Sequence, residues 1–166
     1  MDKIEQTYEI AASPEEVWRA LTDPELIREW SGAAAEFPLQ AGAKYSLWDG
    51  SIVGEIIEII PEQKLVQTWK PQDWTRTDSV VTFALTPQGK GTRVDLVHVN
   101  VEESDYEGTN EGWDIYYLGE IKRMLEARAK PKPKRVAAKK RSTKTAKKPK
   151  AAKKTSRAKK KVTKKR

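Results

Sequence analysis

One histidine, two carboxylates inside an apolar strand and a long run of lysines are the residues of this chain whose types and spacing could do chemistry. His98 sits mid-strand in VDLVHVNV, alternating with Leu96 and Asn100. An imidazole titrates near neutrality, so His98 is a weak candidate for a general base. It has no acid or nucleophile partner at a recognisable spacing, and the ordinary reading is a satisfied strand residue. Glu55 and Glu58 in SIVGEIIEII could form a carboxylate pair, although solvated edge positions are the plainer reading. Gly89-Lys90-Gly91-Thr92 lacks the spacing and the strand-to-helix setting of a phosphate-binding loop. With no cysteine and a single histidine, thiolate chemistry, disulfides and a zinc set fall away. No catalytic residue, metal or cofactor is therefore assigned.

The lysines are a different matter. Residues 131–166 hold 19 of the 32 Lys and Arg and no acid, whereas residues 1–130 hold 13 against all 24 Asp and Glu, a net −11. An acidic domain is thus expected to carry a basic tail. The tail has no aromatic residue and two valines as its only large apolar groups, so it is expected to be disordered alone. Its composition resembles the C-terminal domain of linker histones. Nucleic acid is the expected partner, through Lys132, Lys134, Arg135, Lys139, Lys140, Arg141, Lys147, Lys148, Lys150, Lys153, Lys154, Arg157, Lys159, Lys160, Lys161, Lys164, Lys165 and Arg166. The 19 cations match about 32 Å of duplex, roughly one helical turn. Few arginines and no stacking rings leave little base readout, so binding should be nonspecific and steeply salt-dependent. A membrane partner is not expected, since the tail lacks an apolar anchor.

The elements that must position these residues follow from periodicity. Lys3 to Ala11 alternates like a half-buried strand. Ser13-Pro14-Glu15-Glu16 is a capped helix start, and Asp23-Pro24-Glu25 repeats the device for a second short helix. From Glu36 the pattern is β: an edge strand at Phe37–Leu39, Lys44–Trp48, an Asp49-Gly50 turn, Ser51–Ile60, Lys64–Trp69, Ser79–Thr86 and Thr92–Val101. Gly54 marks a bulge or a close backbone approach. Asn110–Ala129 reads as one long amphipathic helix with Trp113, Tyr117, Ile121 and Met124 on a stripe that Tyr116 and Leu125 widen. Pro131 follows it. Since no helix interleaves the strands, the sheet should be antiparallel, with about six or seven strands gripping the last helix in an α+β domain over residues 1–130.

Candidate cavity residues between sheet and helix are Trp18, Trp48, Ile52, Ile56, Trp69, Phe83, Trp113, Tyr117, Ile121 and Met124, which could equally fill the core. Trp74, in the loop KPQDWTRTD beside Lys70, Asp73 and Arg76, is expected to be exposed and a partner contact. The polar start MDKIEQTYEI is no secretory signal. A cytoplasmic, nucleoid-associated location (nuclear in a eukaryote) is expected.

Several stretches carry a family resemblance: EVWRALTDPELIREW, YSLWDGSIVGEIIEIIPEQKLVQTWKPQDW, TRVDLVHVNV and EGTNEGWDIYYLGEIKRMLE. Together they resemble the START-like, helix-grip (SRPBCC) superfamily. Within it, they are similar to the family named after the C-terminal domain of the activator of heat-shock protein 90 ATPase. The resemblance implies a helix-grip fold, and a partner that is either a small hydrophobic ligand or a protein such as a chaperone, possessed by a noncatalytic, stress-related module. It also implies an alternative, a cyclase- or hydrolase-type enzyme using the cavity; the basic tail gives another, a nucleoid-associated architectural protein in which the tail is primary. The co-chaperone's separate N-terminal domain is not expected here, and the basic extension is no part of the family pattern.

Overall fold

The computed structural model describes residues 2–129. Element order is β1 (Lys3–Ile10), α1 (Pro14–Thr22), α2 (Pro24–Ser31), β2 (Lys44–Leu47), β3 (Ile52–Ile60), β4 (Lys64–Thr68), β5 (Lys70–Pro71), β6 (Val80–Gln88) and β7 (Gly91–Val99). A composite helix closes the domain: a single 3-10 turn, α3 (Tyr106–Gly112), a π-helical segment (Trp113–Tyr117) and α4 (Leu118–Ala129). The architecture is α+β, a seven-stranded antiparallel sheet in the order β1-β7-β6-β4-β3-β2, with β5 added to β3. The long C-terminal helix packs on its inner face.

Local chemistry explains the helix starts. Ser13 Oγ accepts from the Glu16 amide at 3.2 Å, Asp23 Oδ1 accepts from the Glu25 amide at 2.9 Å, and a proline follows each cap. Gly32 ends α2 in the left-handed region, where a side chain would be strained. Trp30 donates its indole N–H to the Ala20 carbonyl at 2.8 Å and so locks α2 against α1.

The β2–β3 corner differs from a two-residue Asp49-Gly50 turn. Leu47 faces Ile52, and Trp48, Asp49 and Gly50 all have positive φ. The turn is centred one residue earlier, with the Gly50 amide donating to the Leu47 carbonyl. Gly54 marks the close approach expected of it: a Cβ there would overlap the Thr68 carbonyl and the Tyr45 ring. Tyr45 is its registered partner and reaches across it to donate to that carbonyl at 2.6 Å. The irregularity itself falls between Ile56 and Glu58. Phe37–Leu39 forms no strand; Pro38 lacks the amide a ladder needs, and only Glu36 bridges to Ser46. The carboxylates of Glu55 and Glu58 point to separate lysines, Lys44 and Lys64.

The last helix departs most from expectation. It is helical from residue 103 and is not uniformly α. In the π segment the Leu118 amide donates to the Trp113 carbonyl, a five-residue step that adds a residue to the turn. Gly119 makes this possible, because a Cβ there would overlap the Asp114 carbonyl. The wider turn buries Trp113, Tyr117 and Leu118 together and turns Ile115 and Tyr116 outward, 48% and 63% exposed. Tyr116 therefore does not widen the buried stripe. No helix among the described residues is long and apolar enough to cross a membrane.

Candidate functional site

The space between sheet and helix is filled by rings. Trp113 lies 4.8 Å from both Trp69 and Tyr117, centroid to centroid. Tyr117 also meets Trp30 at 4.7 Å, Phe83 at 5.7 Å and Trp48 at 5.8 Å. Ile56 and Ile121 are fully buried beside them, Trp18 is nearly so, and Met124 packs half-buried against the same core. Such ring pairs each add about 0.5–1.5 kcal/mol beyond the area they bury.

His98 is at the centre of this packing, fully buried, with Trp69, Trp74 and Trp113 around it at 5.6–5.9 Å. Its two nitrogens have fixed partners. The Trp113 indole N–H can only donate, so Nδ1, at 3.2 Å, accepts. Nε2 then carries the proton and donates to Ser79 Oγ at 2.8 Å, leaving the hydroxyl to donate to the Val99 carbonyl at 3.3 Å. A serine beside a histidine nitrogen suggests nucleophile and base, but here the proton points the other way. A base must accept from the serine, and in this tautomer Nε2 cannot. Burial also pushes the imidazole pKa down to about 3. His98 is a neutral hydrogen-bonding link between β7 and the π segment.

Trp74 corrects an expectation. It is 5% exposed, stacks on His98 with an interplanar angle of 15°, and donates its indole N–H to Asp105 at 2.9 Å. It has no surface to offer a partner. The flanking charges that suggested a solvated loop instead pin it down. Lys70 Nζ donates to the Trp74 carbonyl, and Glu102 accepts from the Thr75 and Arg76 amides at 2.7 and 3.0 Å. Those amides hold the Glu102 carboxyl below its usual range.

Two buried polar side chains fit less well. Gln67 is fully buried on β4 against the Tyr45 and Tyr117 hydroxyls, yet its amide and the Tyr117 hydroxyl form no well-aligned hydrogen bond. Burial raises the pKa of both tyrosines well above the ordinary value.

What remains open is the mouth. Trp48, Ile52, Trp113, Tyr116 and Tyr117, with Ser51, Thr109 and the bare backbone of Gly112, line a cavity of about 350 Å³. Four of the candidate cavity residues meet there: Trp48, Ile52, Trp113 and Tyr117. The other six lie in the packed core. Tyr116 was not among the candidates; only the π turn puts it at this rim. Among the described residues no cluster of His, Asp or Glu could hold a metal. The basic residues from Lys132 to Arg166 lie outside the described residues.

The family model described as "Activator of Hsp90 ATPase homolog 1-like protein" matches residues 11–126. The chain belongs to this family. Among relatives of the Activator of Hsp90 ATPase homolog 1-like family, the human "Activator of 90 kDa heat shock protein ATPase homolog 1" is 27% identical over 114 residues, covering 68% of this chain and 34% of the human one. The Dictyostelium discoideum homologue is 30% identical over 124 residues, covering 74% of this chain and 32% of its own. This chain therefore spans about a third of the length of the curated relatives it matches. A crystal structure of an HSP90 activator from Plasmodium falciparum superposes with a TM-score of 0.70 at 32% identity, covering 76% of this chain and 97% of that one. The family's helix-grip, START-like fold is the one seen here.

Proposed function

We propose that residues 1–130 form a noncatalytic binding module whose partner is a chaperone of the heat-shock protein 90 class, and that the basic tail adds a nonspecific nucleic-acid contact. The observation that carries the first half is the likeness to the Plasmodium falciparum HSP90 activator, which extends over 97% of that chain. Two features of the interior support binding over catalysis. The rings occupy the space in which a substrate or an enclosed apolar ligand would sit, and the one histidine is held in a tautomer unsuited to base chemistry. A protein partner is accordingly favoured over a small ligand.

The test is chaperone ATPase turnover, with the chaperone from the same source, at increasing concentrations of the full chain. Stimulation with saturation is expected; no binding and no change in turnover would sink the reading. The tail is tested separately, by DNA retention of the full chain and of a form lacking residues 131–166. Retention lost on deletion, with a log–log salt slope near about −9 for roughly 10 phosphates contacted, is expected. Undiminished retention without the tail removes that half of the proposal. A nucleoid-associated location follows from the tail contact and fails with it.

A further inference from the structure

The mouth of the domain has features that the filled core does not use. Trp48 is a bulky residue held at φ 48°, a conformation that costs about 1–2 kcal/mol and persists only where its surroundings enforce it. The Trp30 and Tyr117 rings, at 6.0 and 5.8 Å, fix it at the cavity edge. Opposite stands Tyr116, the most exposed large apolar side chain of the described residues, turned out by the π segment. Between them is about 350 Å³ of space with mostly apolar walls. That is at the small end of the roughly 300–1,000 Å³ of ligand pockets and has room for one large side chain. A free small molecule needs about 70–90% of its surface covered, whereas this cavity is open at its rim, where Tyr116 is 63% exposed. A side chain delivered by a larger body needs no such enclosure.

Charge narrows the occupant further. Beside the lining residues, Asp49 follows Trp48 and Glu111 precedes Gly112, and residues 94–121 carry no lysine or arginine; Glu55 and Glu58, further along β3, face Lys44 and Lys64. Lys70 lies on the strand beside Ile52 and Val53, but its ammonium is committed to the Pro71 and Trp74 carbonyls. The field around the mouth is thus set by carboxylates, which attract cations and repel acidic segments.

We propose that this cavity seats a single bulky apolar side chain, aromatic or leucine-sized, presented by a segment of a partner protein with lysine or arginine on both sides of that anchor. The proposal deepens the binding-module reading and holds for any such partner, chaperone or not. Aromatic anchors in part-formed pockets supply most of the energy of interfaces of this kind.

Dye-labelled peptides KKFKK, KKAKK and EEFEE, titrated into the full chain and followed by fluorescence anisotropy, provide the test. KKFKK is expected to bind at least about tenfold more tightly than KKAKK, and any binding of EEFEE, which the 19 cations of residues 131–166 attract, to be unmoved by Tyr116→Ala. Tyr116→Ala and Ile52→Ser should each weaken KKFKK at least about fivefold, and the exposed Tyr116 site should leave the melting curve unchanged. Equal binding of KKFKK and KKAKK would reduce the site to bare electrostatics and overturn the proposal. So would unchanged affinity in Tyr116→Ala. Chaperone stimulation by the unmutated chain, measured alongside, separates the two readings: its absence leaves the peptide preference standing, and loss of the peptide preference leaves stimulation standing.

Discussion

The inward and outward faces of the π segment are built from the same five residues and behave in opposite ways. Inward, Trp113 and Tyr117 each touch four or more rings, counting His98, and are almost wholly buried. Outward, Ile115 and Tyr116 have much of their surface in water. A regular α-helix would spread apolar residues over one stripe; the extra residue in the turn separates them into a seal and a display. The inner face holds the helix to the sheet. The outer face contributes little to that and is free to meet something else.

The sharpest way to break this contrast is to abolish the wide turn. Gly119→Ala would place a methyl group on the Asp114 carbonyl, and a loss of about 3 kcal/mol or more is expected in chemical denaturation. A loss under about 0.5 kcal/mol would mean that the π segment adapts at little cost and that the two faces are not fixed by it.

Acid probes the seal next. His98 has its pKa lowered to about 3 in the fold, against about 6.5 unfolded. Between these values the unfolded chain binds the extra proton, so stability falls as pH drops from about 6.5 towards 3, with a slope near about 1.4 kcal/mol per pH unit from this group. Over the first two units that is about 2–3 kcal/mol. His98→Gln, which keeps a donor and an acceptor, should flatten this part of a denaturation series taken at several pH values. An unchanged slope would assign the acid sensitivity to the carboxylates.

Gln67 offers a smaller gain. Gln67→Met removes a buried amide without good partners and keeps its shape, so stability should rise by about 1 kcal/mol. A fall of that size would show that the amide and the two phenols bond more tightly than their geometry suggests. Smallest of all, Tyr116→Ala should shift stability by less than about 0.5 kcal/mol. A larger loss would show that the outward face is also structural.

Much of the fold was legible because it rests on local rules. The two Ser/Asp-Pro-Glu caps and the alternation in β1 act through neighbours a few residues away, and Gly54 marks its close approach by residue type alone, although Tyr45 and Thr68 come from other strands. Asp-Gly is the favoured pair for that geometry and points to a turn one residue later than the one formed; only tertiary packing on Trp30 and Tyr117 holds a tryptophan there. The burial of Trp74 is hidden for a similar reason. Its loop is polar by composition, and the clamps that bury it come from Asp105 and Glu102, about thirty residues further on. Of the ten candidate cavity residues, Trp48, Ile52, Trp113 and Tyr117 line the cavity and the others pack in or against the core, because periodicity cannot say whether such side chains leave a gap. The π turn has no recognisable signature beyond a glycine, and regular helical spacing puts Tyr116 on the buried face from which that turn removes it.

The ring network also has an optical consequence. Five of the six tryptophans, Trp30, Trp48, Trp69, Trp74 and Trp113, lie within 6.0 Å of another ring in one connected cluster. Transition dipoles of Trp69 and Trp113 at 4.8 Å should couple and give a strong near-ultraviolet circular dichroism band that depends on their mutual angle. Lifting the last helix from the sheet would extinguish that band while the far-ultraviolet signal of the helix itself persisted. The chain therefore carries an intrinsic gauge of how firmly its helix is gripped, readable without any label.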